Sequence, residues 1–424
     1  MTAATSDDVR ALAAPLRKAH LDTLANRSHD QIVESLSELA RRWRLAESTA
    51  GQRARALTGL FGYDGVELTL TALLDSLTPN ALNDLIDSEG VRGRPGFPVI
   101  GHVLAGNTPL LGWTSMIRAL LGRSASFVKL PTEEADLGAM CPTALTAALG
   151  GHVLPEIGSV TAWSQLFVDA LVEVDAPLAS TIALASWPGE DDDRTGTLCT
   201  LADLVVAYGS DDTIASLAKM RGGLPFVGYG HRVSFGVVMP DANLKDAADG
   251  FALDTLLFDQ GGCLSPQSIF VIGDSGRAAD FAQVLAKSLR ARQSTLPPPP
   301  RDEGIAVAIR RARALARMDG CRLWEDEATT WTVVLRRTPE FAPSPTHGVI
   351  SVQPLSTWER LTVALAPVEG ALQGCGLTPG PVPAGLGAFL SGAGVSYVCV
   401  PGKMQAPPLS WREDGVTVLS SLLP

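Results

Sequence analysis

Apolar and polar positions divide the chain into two textures. Residues 28–45 place Ile32, Leu36, Leu39 and Leu45 near helical spacing, with Ser28 or Asp30 available as the cap. Residues 66–74 and 81–87 continue that helical character, and a Gly/Pro-rich break at 90–98 ends it. Short apolar runs then alternate with helix-length segments. Strands are expected at 97–104, 125–130, 182–186, 203–208 and 225–229, with helices at 108–121 and 210–220. Connections of that length imply crossovers, hence a parallel sheet covered by helices. A second α/β block follows, with helices at 244–258, 277–292 and 302–318 and strands at 268–272 and 330–335. A four-proline break at 297–300 interrupts it, and the tail, 395–424, mixes strand-like runs with Pro407-Pro408. No internal repeat is present.

At 424 residues, 46% hydrophobic and 19% charged, the chain suits two large domains sharing an interface. A net charge of −11 and a pI near 5.1 argue against nucleic acid or an anionic membrane surface as partner. The Arg-rich stretch from Arg310 to Arg317 reads as a solvated helix face. The first residues lack the basic start and apolar run of a signal peptide, and no apolar run reaches the roughly 18 residues of a membrane span. A soluble, cytoplasmic protein without a membrane span is therefore expected. Six cysteines, Cys141, Cys199, Cys263, Cys321, Cys375 and Cys399, form no CxxC pair, so neither a zinc knuckle nor a dithiol redox motif is expected, and no metal. Each thiol is by default a small buried hydrophobe.

One of the six differs in its surroundings. In Gly261-Gly262-Cys263-Leu264-Ser265-Pro266 two glycines allow close backbone approach and leave the sulfur unobstructed. The stretch reads as a loop between a helix and a strand, where reactive side chains are displayed. A thiolate is a strong nucleophile toward carbonyls, so the stretch suits acyl transfer; a packed structural thiol is the competing reading. In Ala105-Gly106-Asn107-Thr108-Pro109, Asn107 could donate to an oxyanion or simply cap a helix that has Pro109 in its first turn. Tyr208-Gly209-Ser210-Asp211-Asp212 could present free amides to phosphate, provided the two aspartates turn away, or Ser210 could only cap its helix. Lys129 ends a strand, where it could meet a ribose or be merely solvated. His231 follows a strand, as an acid–base group or a structural histidine. No GxGxxG or Walker-type loop occurs.

Taken in order, Gly106-Asn107-Thr108-Pro109, Ser126-Phe127-Val128-Lys129, Tyr208-Gly209-Ser210 and Gly261-Gly262-Cys263 resemble the succession of landmarks in aldehyde dehydrogenases. More closely, residues 101–131, 228–237 and 259–271 resemble the acyl-CoA reductase family, which includes the fatty acid reductase subunit of bacterial luciferase systems. Gly402-Lys403-Met404-Gln405 and Trp411-Arg412-Glu413-Asp414-Gly415 are similar to that family's closing segment. The likeness spans about residues 95–415.

The resemblance implies an α/β, aldehyde dehydrogenase-like fold. Residues 1–94 would form a helical segment packed on an NAD(P)-binding domain at 95–230, followed by a catalytic domain at 231–394 and a small C-terminal oligomerisation strand region at 395–424. It implies that Cys263 becomes acylated by an acyl-CoA or acyl-protein thioester, with CoA as a leaving group. Asn107 and the Cys263 amide would hold the oxyanion; His231 is a further catalytic candidate, its role left open between acid–base and structural. Lys129 would meet the adenosine ribose and Gly209-Ser210 the pyrophosphate. Hydride would then release a fatty aldehyde. Two departures from aldehyde-oxidising relatives refine this. Gly228-Tyr229-Gly230-His231-Arg232 holds no carboxylate to activate water, which favours reduction over oxidation to acid. Thr132 stands where NAD-preferring relatives carry a glutamate, which implies NADPH, with NADH as the alternative. Glu340 is nearest the place of the superfamily's nicotinamide-ribose glutamate and is not assigned to it. A homodimer or homotetramer is expected, with an acyl-activating synthetase as a further partner. The competing functions are a CoA-acylating aldehyde dehydrogenase working oxidatively and a non-catalytic acyl-binding subunit.

Overall fold

Strand and helix alternate as the apolar pattern requires, in two units. The computed structural model describes residues 6–58, 61–131, 160–299 and 301–424. One unit comprises Met1–His231, Pro408–Arg412 and Val416–Pro424; the other comprises Arg232–Pro407 and Glu413–Gly415.

The first unit begins with helices. His29–Arg44 starts at a capping box: Ser28 accepts from the Gln31 amide while the Gln31 side chain accepts from the Ser28 amide. Its inward face buries Ile32, Leu36, Leu39 and Trp43. Past the Gly/Pro break come β1 (Val99–Val103), β2 (Ala125–Leu130), β3 (Ile182–Ser186), β4 (Leu204–Tyr208) and β5 (Phe226–Tyr229). They lie in the order β3-β2-β1-β4-β5, all parallel. β1 through β4 are buried at every position, which explains their mainly apolar sequences; the buried His102 is satisfied by the Ser115 and Ser126 hydroxyls. Chain direction along the sheet reverses between β1 and β4. A crevice at the carboxyl ends of such a pair is where open α/β sheets take ligands.

The second unit holds β6 (Val233–Val238), β7 (Pro266–Ile272), β8 (Arg322–Glu325), β9 (Thr332–Leu335), β10 (Val349–Leu355), β11 (Leu372–Leu377) and β12 (Tyr397–Cys399). Their order is β12-β11-β6-β7-β10-β9-β8, parallel except for the β8–β9 pair. Helices Leu244–Leu256 and Ser275–Arg292 cover the sheet, and Phe251 meets Phe281 edge-on at 6.3 Å. Two glycines make room for Phe251: a Cβ on Gly236 would lie 2.5 Å from its ring and one on Gly376 2.7 Å. Among the described residues no helix is long and apolar enough to cross a membrane.

Two expectations need correction. The helix after β1 starts at Leu111, and Leu110 provides no side-chain cap, so Asn107 and Pro109 belong to the connecting loop. Arg313 is not solvated either. It is buried, bonds the Thr332 hydroxyl and the Asp326 and Trp331 carbonyls, and pairs with Asp326. Its planar fork of donors suits a site ringed by carbonyls.

Candidate active site

In the first unit, Asn107, Lys129 and Ser210 all come to the carboxyl edge of the five-stranded sheet. Asn107 is exposed in the loop after β1, and the Leu104 amide donates to the Lys129 carbonyl at 3.1 Å. A Cβ on Gly106 would lie 3.2 Å from the Pro131 ring, so this loop passes close to the end of β2. Lys129 is only 7% exposed. Burial pushes its ammonium below the usual lysine range, partly offset by Glu190.

Ser210 caps Asp211–Arg221: its hydroxyl accepts from the Thr213 amide at 3.2 Å. The capping role is therefore real, and the Ser210 and Thr213 hydroxyls also lie 2.9 Å apart. Asp211 turns away as a phosphate site requires, its carboxylate accepting from the His231 amide at 2.9 Å. The His231 residue is exposed at the end of β5. Tyr208 and Tyr229 stack beneath at 4.8 Å, fixing the ends of β4 and β5. A Cβ on Gly209 would lie 3.1 Å from Thr213, so any larger residue would crowd this turn. Thr132 lies outside the described residues, as does Cys141. A buried, desolvated lysine beside exposed loop ends and an open helix N-terminus fits an anionic dinucleotide.

In the second unit, Cys263 follows helix Leu244–Leu256 and precedes β7. The helix does not run smoothly into the glycines. Phe258, Asp259 and Gln260 take φ of 54°, 53° and 62°, three consecutive left-handed residues with side chains. Each costs on the order of 1 kcal/mol against the ordinary helical region. Specific bonds hold the turn. Gln260 Nε2 donates to the Pro266 and Val349 carbonyls at 2.8 and 3.0 Å. The Ser234 hydroxyl donates to the Cys263 carbonyl at 2.8 Å, and Gln405 Nε2 donates to the Ser265 hydroxyl at 2.9 Å. A Cβ on Gly262 would meet Gln405 Oε1 at 2.5 Å, which accounts for glycine there.

As a residue Cys263 is half-buried, whereas Cys199 and Cys375 are buried. Burial raises its thiol above the usual range, and the Glu413 and Asp414 carboxylates raise it further; the backbone amides of Cys263 and Leu264 oppose that rise. Asp414 is held by a two-pronged ion pair with Arg232 at 2.9 and 3.0 Å. Glu413 is buried and accepts a long bond from Gln373 Nε2 at 3.5 Å. The thiol is thus protonated at neutral pH until something at the site removes its proton. Reading along the chain misses both carboxylates. Their only sequence signal is Trp411-Arg412-Glu413-Asp414-Gly415, which lies nearly 150 residues downstream. Among the described residues no His/Cys/Asp/Glu group could hold a metal.

The two sheets together have an aldehyde dehydrogenase-like fold. Similar solved structures include a putative aldehyde dehydrogenase from Burkholderia cenocepacia, with TM-score 0.70 and 16% identity, covering 100% of this chain and 92% of that one. Another is the NAD+ complex of an aldehyde dehydrogenase from Bacillus cereus, with TM-score 0.68 and 12% identity, covering 99% and 88%. Within that fold class, residues 92–424 match the family model for acyl-CoA reductase (LuxC), and the chain belongs to that family. Curated relatives include the long-chain acyl-protein thioester reductases of Vibrio harveyi, 25% identical over 74% of this chain, and of Aliivibrio fischeri, 24% identical over 82%. The chain spans 66% of the length of the first, just under two thirds, and 74% of the second.

Proposed function

We propose that the chain is a long-chain acyl-thioester reductase, taking an acyl-protein thioester or acyl-CoA and releasing an aldehyde. The observation that carries this is Cys263, a half-buried residue that follows a strained turn and two glycines and precedes β7. Its sulfur attacks the thioester carbonyl and keeps the acyl group as the bond to CoA or the protein thiol breaks, and the proton from Cys263 ends on that departing thiol. Asn107 and the Cys263 amide serve the oxyanion of that step. His231 serves as acid–base group. NADPH, with NADH as the alternative, supplies the hydride for reduction to the aldehyde. Lys129 serves the ribose, the Gly209-Ser210 turn the pyrophosphate, and Thr132 the choice between cofactors. No carboxylate in 228–232 activates water, which supports reduction over hydrolysis. The domain roles assigned to 95–230, 231–394 and 395–424 belong to the same proposal. So do a cytoplasmic location, an acyl-activating synthetase as partner, and assembly as a homodimer or homotetramer through β12, whose Val398 is exposed.

The test follows acyl-CoAs of graded chain length by NADPH oxidation, aldehyde release and intact mass. Acyl mass confined to a peptide containing Cys263, with NADPH consumed in step, is the expected result. An intact Cys263 that never gains acyl mass sinks the proposal.

A further inference from the structure

We infer that Asp259, clamped by Arg301 and His347, is the positioning residue of the Cys263 loop. The inference rests on Cys263 being the nucleophile. Two left-handed runs face each other here: residues 258–260, and Thr346, His347 and Gly348 with φ of 65°, 56° and 79°. Asp259 ties them together twice. Its carbonyl accepts from the His347 amide at 3.1 Å, and its Oδ2 takes His347 Nδ1 at 2.5 Å.

A carboxylate can only accept, so Nδ1 carries the hydrogen, which fixes the imidazole tautomer. The Arg301 Nη1 group donates to the same Oδ2. Nη1 also lies 3.3 Å from His347 Nδ1, two donors converging on one oxygen rather than bonding each other. Arg301 Nη2 donates to the His347 carbonyl at 3.2 Å, closing the clamp. Asp259 and Arg301 are both more than nine-tenths buried, and the ion pair draws on residues 42 positions apart.

No step of the reaction uses these groups. What they control is the backbone leading into Gly261-Gly262-Cys263. Asn and Asp tolerate the left-handed region better than other residues with side chains. Phe258 and Gln260, on either side, do not share that tolerance. Without the clamp the run keeps the Gln260 bonds to the Pro266 and Val349 carbonyls and relaxes at Phe258 and Asp259, which re-aims the sulfur. A displacement of ~1 Å in a reacting group can cost ~10²-fold in rate.

The experiment uses the full chain, with Asp259→Ala, Asp259→Asn and His347→Gln, reading acylation by a long-chain acyl-CoA and iodoacetamide alkylation at each cysteine by mass. Cys321 and Cys399, partly exposed, serve as local references, and buried Cys199 and Cys375 report unfolding. Asp259→Ala is expected to slow Cys263 acylation by about tenfold or more, with half-saturating acyl-CoA within about twofold of wild type. Asp259→Asn, which keeps the left-handed tolerance and one acceptor, is expected to lose less. Acylation within about twofold of wild type in Asp259→Ala overturns the inference. If that variant exposes Cys375, Asp259→Asn and His347→Gln decide, and unchanged acylation in both overturns it equally. Should wild type fail to acylate at all, the proposed function falls. The clamp is then judged by the Cys263-to-Cys321 alkylation ratio, which must move by at least about threefold in Asp259→Ala to sustain it.

Discussion

Cys263 and Cys375 both lie against the β6–β11 pair, and the proposed function gives a reaction to only one of them. Gly374 pairs with Ser234, whose hydroxyl holds the Cys263 carbonyl; the next residue along β11, Cys375, pairs with Phe235. Burial raises both thiols well above the usual range. Ionisation therefore does not tell the two thiols apart. Backbone and access do. Cys375 lies fully buried in mid-strand, among Phe235, Phe270 and Leu386. Cys263 sits in a loop after a left-handed run, with carboxylates nearby and its carbonyl tied back.

The sharpest way to break that comparison is to exchange each sulfur for oxygen. Cys263→Ser is expected to lower acyl-CoA reduction by about 10⁴-fold or more, since a neutral hydroxyl is a far weaker nucleophile than a thiolate. Cys375→Ser should leave turnover per folded molecule within about threefold. Rates normalised to folded protein check this, and comparable losses in both variants would remove the distinction.

Stability should rank the pair the other way. Cys375→Ser buries a hydroxyl in an apolar cluster and is expected to cost about 1–3 kcal/mol, while Cys263→Ser should cost under about 1 kcal/mol. Urea midpoints with unchanged slopes would show it.

Much of this architecture is legible along the chain, and the exceptions have physical causes. The strands β1 to β5 stand out because their mainly apolar runs are short and bounded by turn residues, even with Gly101, His102, Ser126, Lys129 and Gly228 inside them. Reading along the chain places no strand at β6, β10 or β11, because Gly236, Pro354, Gly374 and Gly376 interrupt their apolar pattern. Two of those glycines exist to admit Phe251, a packing fact that no local pattern carries. Cys263 is legible from its glycines and from the order of the motifs. The Asp259 clamp is not: its partners lie 42 and 88 residues away, and its left-handed residues are Phe, Asp and Gln rather than glycine.

Glycine itself offers the next test. Gly262→Ala places a methyl 2.5 Å from Gln405 Oε1, and Gln405 also braces Ser265. The side chain can swing aside, so the expected cost is about 1–2 kcal/mol of stability with slower acylation of Cys263. Gly376→Ala meets the Phe251 ring at 2.7 Å and the Met404 sulfur at 2.8 Å. It should cost as much or more in stability and leave acylation of the folded fraction unchanged. Paired urea melts and acylation time courses separate the two outcomes.

The smallest effect reads the one electrostatic difference between the thiols. Cys263 faces the Glu413 and Asp414 carboxylates in addition to burial, whereas Cys375 has burial and then Cys399. A raised thiol is almost wholly protonated from pH 7 to 9, so alkylation of Cys263 by iodoacetamide should climb about tenfold per pH unit with no plateau in that window. A nearby negative charge disfavours the thiolate, so Glu413→Gln lowers the thiol's pKa toward its ordinary value. Alkylation at a fixed pH of 8 should then be faster, by about two- to fivefold for one partly screened carboxylate, with Cys375 unchanged. Slower alkylation would reverse the sign and identify Glu413 as the group that draws the proton from sulfur. Measured in the same samples, faster alkylation with slower acylation would mean that Glu413 opposes the resting thiolate and still serves the reaction.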